Sequence, residues 1–254
     1  MDALEYQLLR SLNLYGSATG EGLVTQAQAG RQVQIIQETA NAVAVRLCED
    51  DYFGWILQND RSALTPATTP YRSIAITPQA IEEHLPVVIA FCQAAMAQPH
   101  CYLWGGTIAP DYDCSGLMQA AFQSVGIWIP RDAYQQEAFL HPLPLPLSYP
   151  LDASDLQEVR PGDLIFFGSP TQATPNKATT NKATPSKATH VGLYLGEGRY
   201  IHSSGKDQGR NGIGVDTLFF STDLVSQSYG KQLRGAGRVI APYVSSGRRW
   251  DGRG

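Results

Sequence analysis

Between Asn59 and Pro78 the chain changes character. This stretch carries Pro66, Pro70 and Pro78 among Thr, Ser and Ala. Repeated prolines remove backbone donors and fix φ, which favours an extended connector over a packed element. The chain must therefore fold on the two sides of this connector, and the two sides have different periods. Before it, Val33 and Ile35 alternate with polar neighbours, as do Val43, Val45 and Leu47, the period-two signature of half-buried strands. Gly22-Leu23-Val24, Gln32 to Ile36, Val43 to Leu47 and Gly54-Trp55-Ile56 read as strands of a small all-β barrel. Residues 1–65 are expected to form that barrel, 66–78 the linker and 79–254 a second domain.

The second side opens with a helix. Ile81, Leu85, Val88, Ile89, Cys92 and Met96 recur at three- and four-residue spacing, with Thr77 as N-cap, Pro78 in the first turn and Pro99 as the stop. A second helix is expected from about Ser115 to Gly126, where glycine suits a left-handed C-terminal cap. After it come strand candidates at Asp163 to Phe167, Val191 to Leu195, Arg199 to His202 and Arg238 to Ile240. Helices followed by a mostly antiparallel sheet give an α+β class. Between the first two of those strands lies a low-complexity insertion, 169–189, holding the repeats Pro175 to Thr179, Thr180 to Thr184 and Pro185 to Thr189. It reads as a solvated hairpin loop, because so polar a tract cannot offset its ordering entropy.

Composition narrows the function classes. Of 254 residues 43% are hydrophobic and 17% charged, enough apolar material for a core. The formal net charge of −4 gives no basic field to neutralise phosphates, so nucleic acid is not expected as a partner. No stretch approaches the ~20 apolar residues that span a bilayer, so no membrane partner is expected either. Acidic residues stand where a secretory signal carries basic ones, at Asp2 and Glu5, and a cytoplasmic location is the expectation. Four irregularly spaced cysteines, with no C-x-x-C pair, indicate neither a disulfide framework nor a metal site, and no cofactor is expected.

Of those four, Cys114 stands apart. It lies at a helix start in Asp113-Cys114-Ser115-Gly116-Leu117, where the positive end of the helix dipole favours thiolate. Cys48, Cys92 and Cys101 read as small buried packing residues. A free thiol of pKa about 8.5 still needs a base. His190 precedes one strand and His202 ends the next, with Gly196-Glu197-Gly198 as the turn between them. Adjacent antiparallel strands bring such residues together, so that one imidazole can face the thiol while the other holds its ring.

The chain here resembles the NlpC-type cell-wall cysteine peptidases, which have a papain-like fold. The motifs Tyr-x-Trp-Gly-Gly at 102–106, Asp-Cys-Ser-Gly-Leu at 113–117, Ile129-Pro130-Arg131-Asp132, Arg160 to Phe167, His190 to Gly196 and Ile201-His202 occur in that family's order. Gly30, the turn at Glu38 to Asn41 and Gly54-Trp55-Ile56 resemble the bacterial SH3-type domain found beside many wall enzymes. The resemblance implies Cys114 as nucleophile, His190 as general base and acid, His202 as the residue orienting it, and Tyr102 as a hydroxyl donor to the oxyanion beside the Cys114 N–H. It further implies a murein peptide substrate, cut at the γ-D-Glu–diaminopimelate bond and carrying a free L-Ala end; with no secretory signal read at the N-terminus, recycling of wall fragments is the expectation. Asp113 is then expected to hold the L-Ala ammonium and Tyr52 to cap that end, with Trp104, Ser115 and Asp132 as further substrate contacts. Another papain-like amidase or acyltransferase, or a non-catalytic wall-binding protein, are the alternatives. Cys114→Ala is expected to abolish hydrolysis while leaving the circular dichroism spectrum unchanged, and turnover near wild type would overturn the nucleophile assignment.

Overall fold

The computed structural model describes residues 4–168 and 187–245. The repeats up to residue 186 lie outside them. The first strands are β1 (Glu5–Leu8), β2 (Leu12–Tyr15), β3 (Leu23–Ala27), β4 (Gln32–Glu38), β5 (Ala42–Leu47), β6 (Phe53–Leu57) and β7 (Leu64–Pro66). They form one sheet in the order β3-β2-β6-β5-β4-β1-β7. Alternation does the work expected of it: Val33 pairs with Leu47 and Ile35 with Val45 across β4 and β5. These side chains enclose a core with Leu8, Leu14, Val43 and Ile56.

Two points differ from the expectation for this half. The sheet runs one residue into the expected connector, because β7 pairs with β1 as far as Pro66. β5 is buried along its whole length rather than on one face. Its polar-face residue Arg46 is satisfied by Gln34 and by Asp51 at 2.8 Å. Asp51 in turn accepts hydrogen bonds from Tyr243 and Ser245, so the outer face of β5 is covered by the end of the second domain.

The second domain begins as its sequence implies. In α1 (Pro78–Met96) the Thr77 hydroxyl accepts the Ala80 N–H at 3.2 Å, Pro78 fills the first position, and the helix ends before Pro99. Ile81, Val88 and Cys92 are its buried stripe. Two short strands, β8 (Thr107–Ile108) and β9 (Asp111–Tyr112), lead into α2 (Cys114–Gln123), which is buried nearly throughout. This helix stops short of Gly126, which takes φ of 80° in the turn that follows. Next come α3 (Ala133–Phe139), β10 (His141–Leu143), β11 (Leu164–Phe167), β12 (His190–Gly196), β13 (Arg199–Ser204), β14 (Gly212–Thr217), α4 (Leu224–Gly230) and β15 (Leu233–Arg238).

The six strands order as β10-β15-β11-β12-β13-β14, every neighbouring pair antiparallel. Leu164, Phe166, Val191, Leu193 and Ile201 face α1 and α2. Ile165, Phe167, Tyr194 and Tyr200 face the other way, onto Tyr229 of α4 and Leu218. The strand expected at Arg238 to Ile240 lies instead at Leu233–Arg238. Gly235 and Gly237 hide it by leaving little apolar alternation, and the apolar Val239 and Ile240 fall just past its end. Cys101 is exposed rather than buried, whereas Cys48 and Cys92 are buried as expected.

One contact fixes how α2 meets the turn before it. A Cβ at Gly116 would stand 2.0 Å from the Gly106 carbonyl oxygen, a backbone atom with nowhere to go. Gly116→Ala is therefore expected to cost about 3 kcal/mol or more by urea denaturation, and a loss under about 1 kcal/mol would mean that helix and turn separate easily.

Candidate active site

The site is built around the Asp113 carboxylate. As N-cap of α2 it accepts the Gly116 N–H at 2.6 Å on Oδ1. Oδ2 accepts the Gly105 N–H at 2.8 Å. Arg131, one residue before the α3 cap Asp132, grips both oxygens, at 3.1 Å and 2.6 Å. Its Nε donates to Thr25 Oγ1 on β3 at 2.8 Å, and Nη1 also donates to Ser115 Oγ at 3.0 Å. Burial alone would lower the Arg131 guanidinium, but the charge and hydrogen bonds of Asp113 hold it above its ordinary value. Five donors thus occupy Asp113, counting the Ser115 hydroxyl at 3.4 Å. The expected role of Asp113, an anion open to a substrate ammonium, gives way to a structural one, and Ser115 shares the same network.

The Cys114 sulfur also departs from expectation. It lies beside the start of β12, accepting backbone N–H groups of Val191 and Ser115. Helix position, these bonds and Arg131 favour thiolate, but burial and the Asp113 charge outweigh them and push the thiol up to about 12. Cys114 therefore rests as a neutral thiol, and any reaction through its sulfur needs a base.

The hairpin sets up a candidate for that base. β12 and β13 pair Leu193 with Ile201 and Tyr194 with Tyr200, and the turn uses left-handed residues at Gly196, Glu197 and Gly198. This register brings His190 Nε2 within 2.6 Å of His202 Nδ1. Tyr229 stacks on His190 at 4.2 Å between ring centroids. His202 Nε2 lies 2.6 Å from Asp216 Oδ2 on β14. Burial, and secondarily His202, drives His190 well below the usual imidazole range. Burial lowers His202 as well, partly offset by Asp216. Both rings are neutral at neutral pH, leaving His190 available as a proton acceptor.

A cavity of about 290 Å³ opens over the sulfur, lined by Tyr102, Trp104, Asp132, Tyr134 and Lys187, with Tyr52 contributed by the barrel. The Tyr52 hydroxyl meets the Asp132 carboxylate at 3.2 Å and 3.3 Å. Burial and the Asp132 charge raise Tyr52, so its proton stays in place as a donor. Burial also raises Asp132, with Arg131 and Tyr52 opposing. Tyr102 is held protonated by burial and by the neighbouring Cys114 and Asp113. Trp104 is 71% exposed at the rim. Among the described residues no group of three or more His, Cys, Asp or Glu is placed to hold a metal ion, and no helix is long and apolar enough to cross a membrane.

Residues 99–232 match the model of the NlpC/P60 family, more than half of the chain. The chain belongs to the NlpC/P60 family. Residues 14–60 match the bacterial dipeptidyl-peptidase SH3 domain, so an SH3-type barrel precedes the papain-like NlpC/P60 domain. The chain is similar to a γ-D-glutamyl-L-lysine dipeptidyl-peptidase of Bacillus subtilis, 33% identical over 102 residues, 40% of this chain and 27% of that one. It is also similar to a probable endopeptidase of Mycobacterium tuberculosis, 35% identical over 116 residues, 45% of this chain and 23% of the relative. The match thus spans under a third of either curated relative. A crystal structure of an NlpC/P60 family protein from Bacillus cereus aligns over 93% of this chain and 64% of its own, at 21% identity and a TM-score of 0.41.

Cys114, Tyr102, Tyr52, Trp104, Asp113, Ser115 and Asp132 line one cavity, and His190 and His202 pair at β12 and β13, where the Val191 backbone next to His190 reaches the Cys114 sulfur. Sequence reasoning missed Asp216, which sits in the unrecognised strand β14, and Arg131, whose motif was visible but whose fork onto Asp113 was not. Because burial disfavours the His190 cation, the acid limb of kcat/KM for any substrate opened by Cys114 is expected below pH 6.5. Activity then persists as pH falls through the ordinary histidine value and fails only beneath it; a midpoint above 6.5 contradicts a buried neutral base.

Proposed function

We propose that this chain is a cysteine peptidase that hydrolyses the γ-D-Glu–diamino acid bond, as in γ-D-Glu–diaminopimelate, of wall stem peptides with a free N-terminal L-Ala. The carrying observation is the Tyr52–Asp132 pair across the two domains. It sets an anion and a hydroxyl at one end of the cavity that holds Cys114. A short peptide whose first residue ends in an ammonium finds its counter-charge there, whereas a chain continuing past that point meets the barrel. Asp132 takes this role because it lines the cavity beside the Tyr52 hydroxyl, while Asp113 is saturated. The family's similarity to a γ-D-glutamyl-L-lysine dipeptidyl-peptidase supports the bond. A preference for short free peptides supports a role in recycling wall fragments, and the cytoplasm is the matching location.

Chemistry follows from the protonation states. The Cys114 thiol gives its proton to neutral His190 as sulfur bonds to the γ-carbonyl carbon, and the carbonyl electron pair moves onto oxygen. The Cys114 N–H, at a helix start where backbone donors lack intrahelical acceptors, and the Tyr102 hydroxyl serve that oxyanion. The tetrahedral species collapses, the C–N bond breaks, and His190 returns the proton to the departing amine. Water then adds to the thioester carbon, giving its proton to His190 and releasing the peptide acid and the thiol.

The test is to compare L-Ala-γ-D-Glu-diaminopimelate with its N-acetylated form and with intact sacculi, identifying products by mass. Release of diaminopimelate from the free tripeptide is expected, with kcat/KM about 100-fold lower for the acetylated peptide, the worth of one charged hydrogen-bonded contact. Asp132→Asn should erase most of that difference. Equal cleavage of both peptides, or an amide product from elsewhere in the wall, would overturn the proposal.

A further inference from the structure

His190 has two ring nitrogens, and only one of them can accept a proton from Cys114. Which one it is depends on groups beyond the thiol. Asp216 is buried, and its Oδ1 accepts Arg210 Nη2 at 2.6 Å and Ser226 Oγ at 3.0 Å. Burial would raise this carboxyl, but the His202 hydrogen bond, the His202 and Arg210 charges and Ser226 hold it below its ordinary value. An ionised carboxylate has no proton to give. The 2.6 Å contact from Oδ2 to His202 Nε2 is therefore an N–H donated by the imidazole. A neutral imidazole carries one N–H, so His202 Nδ1 is left as an acceptor. The 2.6 Å contact between that atom and His190 Nε2 must then be an N–H donated by His190. By the same rule His190 Nδ1 carries the lone pair.

We infer that Asp216 is a positioning residue that acts through His202 to fix the tautomer of both histidines and so puts the basic lone pair of His190 on Nδ1, the ring nitrogen that His202 does not engage. The inference rests on the reading of Cys114 and His190 as nucleophile and base. It adds a fourth member to the chain Cys114, His190, His202 and names what orients the orienting residue. When His190 takes the thiol proton on Nδ1, its Nε2–H stays where it was, so no second proton has to move.

The charged and titratable groups around Asp216 are His202 on β13, Arg210 ahead of β14, Tyr200 on β13 and Tyr229 on α4, with Ser226 on the same helix. Arg210 has only donors, so in Asp216→Asn the amide oxygen must face Arg210 and Ser226, and the amide NH2 must face His202 Nε2. That reverses every arrow. His202 becomes the Nδ1–H tautomer and donates to His190 Nε2, and His190 carries its hydrogen on Nδ1, where the lone pair is needed.

Two measurements test this. With histidine labelled by nitrogen-15, the wild-type spectrum above pH 7 should show His190 and His202 both protonated on Nε2, and Asp216→Asn should show both protonated on Nδ1. In kinetics, Asp216→Asn should lower kcat by about 1000-fold with KM little changed. Asp216→Ala, which imposes no tautomer, should lose less than the more conservative Asn variant. A purely structural role gives the opposite ranking. Wild-type His190 protonated on Nδ1, or an Asn variant within about tenfold of wild type, would overturn the inference. The wild-type spectrum decides even if a variant fails to fold, and it does not depend on which peptide is cut. An inactive wild type with the expected tautomers would count against the substrate reading instead.

Discussion

The buried Arg131–Asp113 ion pair holds this active site together. Through it one carboxylate caps the helix of the nucleophile, pins the glycine turn at Gly105 and is tied to Thr25 of the barrel. Breaking such a pair by removing one partner commonly costs about 3–5 kcal/mol, because the other charge is left buried. Here the loss would extend beyond energy, since helix start, turn and domain junction would all lose the same anchor. The pair also explains the thiol. A carboxylate placed so near the sulfur for structural reasons opposes its ionisation, and this site therefore depends on its base more than on its helix terminus.

The barrel belongs to that site. Tyr52 reaches Asp132, Gln119 of α2 reaches Asp50, and Gln26 caps the strand at Thr107. These polar links join the barrel to the second domain, and Tyr52 lines the same cavity as Cys114. An SH3-type domain attached in this way forms part of the wall of the cleft.

Much of this was legible in the sequence where the physics is local. The α1 cap at Thr77, the β12–β13 turn with its glycines and the placement of Cys114 at a helix start each depend on a few neighbouring residues. The contrast between period two and three- to four-residue spacing separated the domains, though the sheet runs one residue into the expected connector. What stayed hidden depends on distant partners. β15 is held in the sheet by two neighbours despite its glycines. Asp216 matters because β14 pairs beside β13, and Asp113 changed role because a guanidinium eighteen residues away filled its lone pairs. The Cys114 thiol shifted upward for the same reason: its helix could be read from the motif, and its burial could not.

The ladder joining β11 and β12 sets Phe167 opposite His190, and the Thr189 N–H closes onto the Phe167 carbonyl at 2.9 Å. Just before, the Gly168 N–H is held by the Gln232 carbonyl and the Ala188 N–H by Glu137. The residues at the two ends of the insertion, Gly168 and Ala188, are thus held by the scaffold itself, immediately ahead of His190. The start of β12, and His190 with it, is held on one side by β11 and on the other by Glu137 of α3.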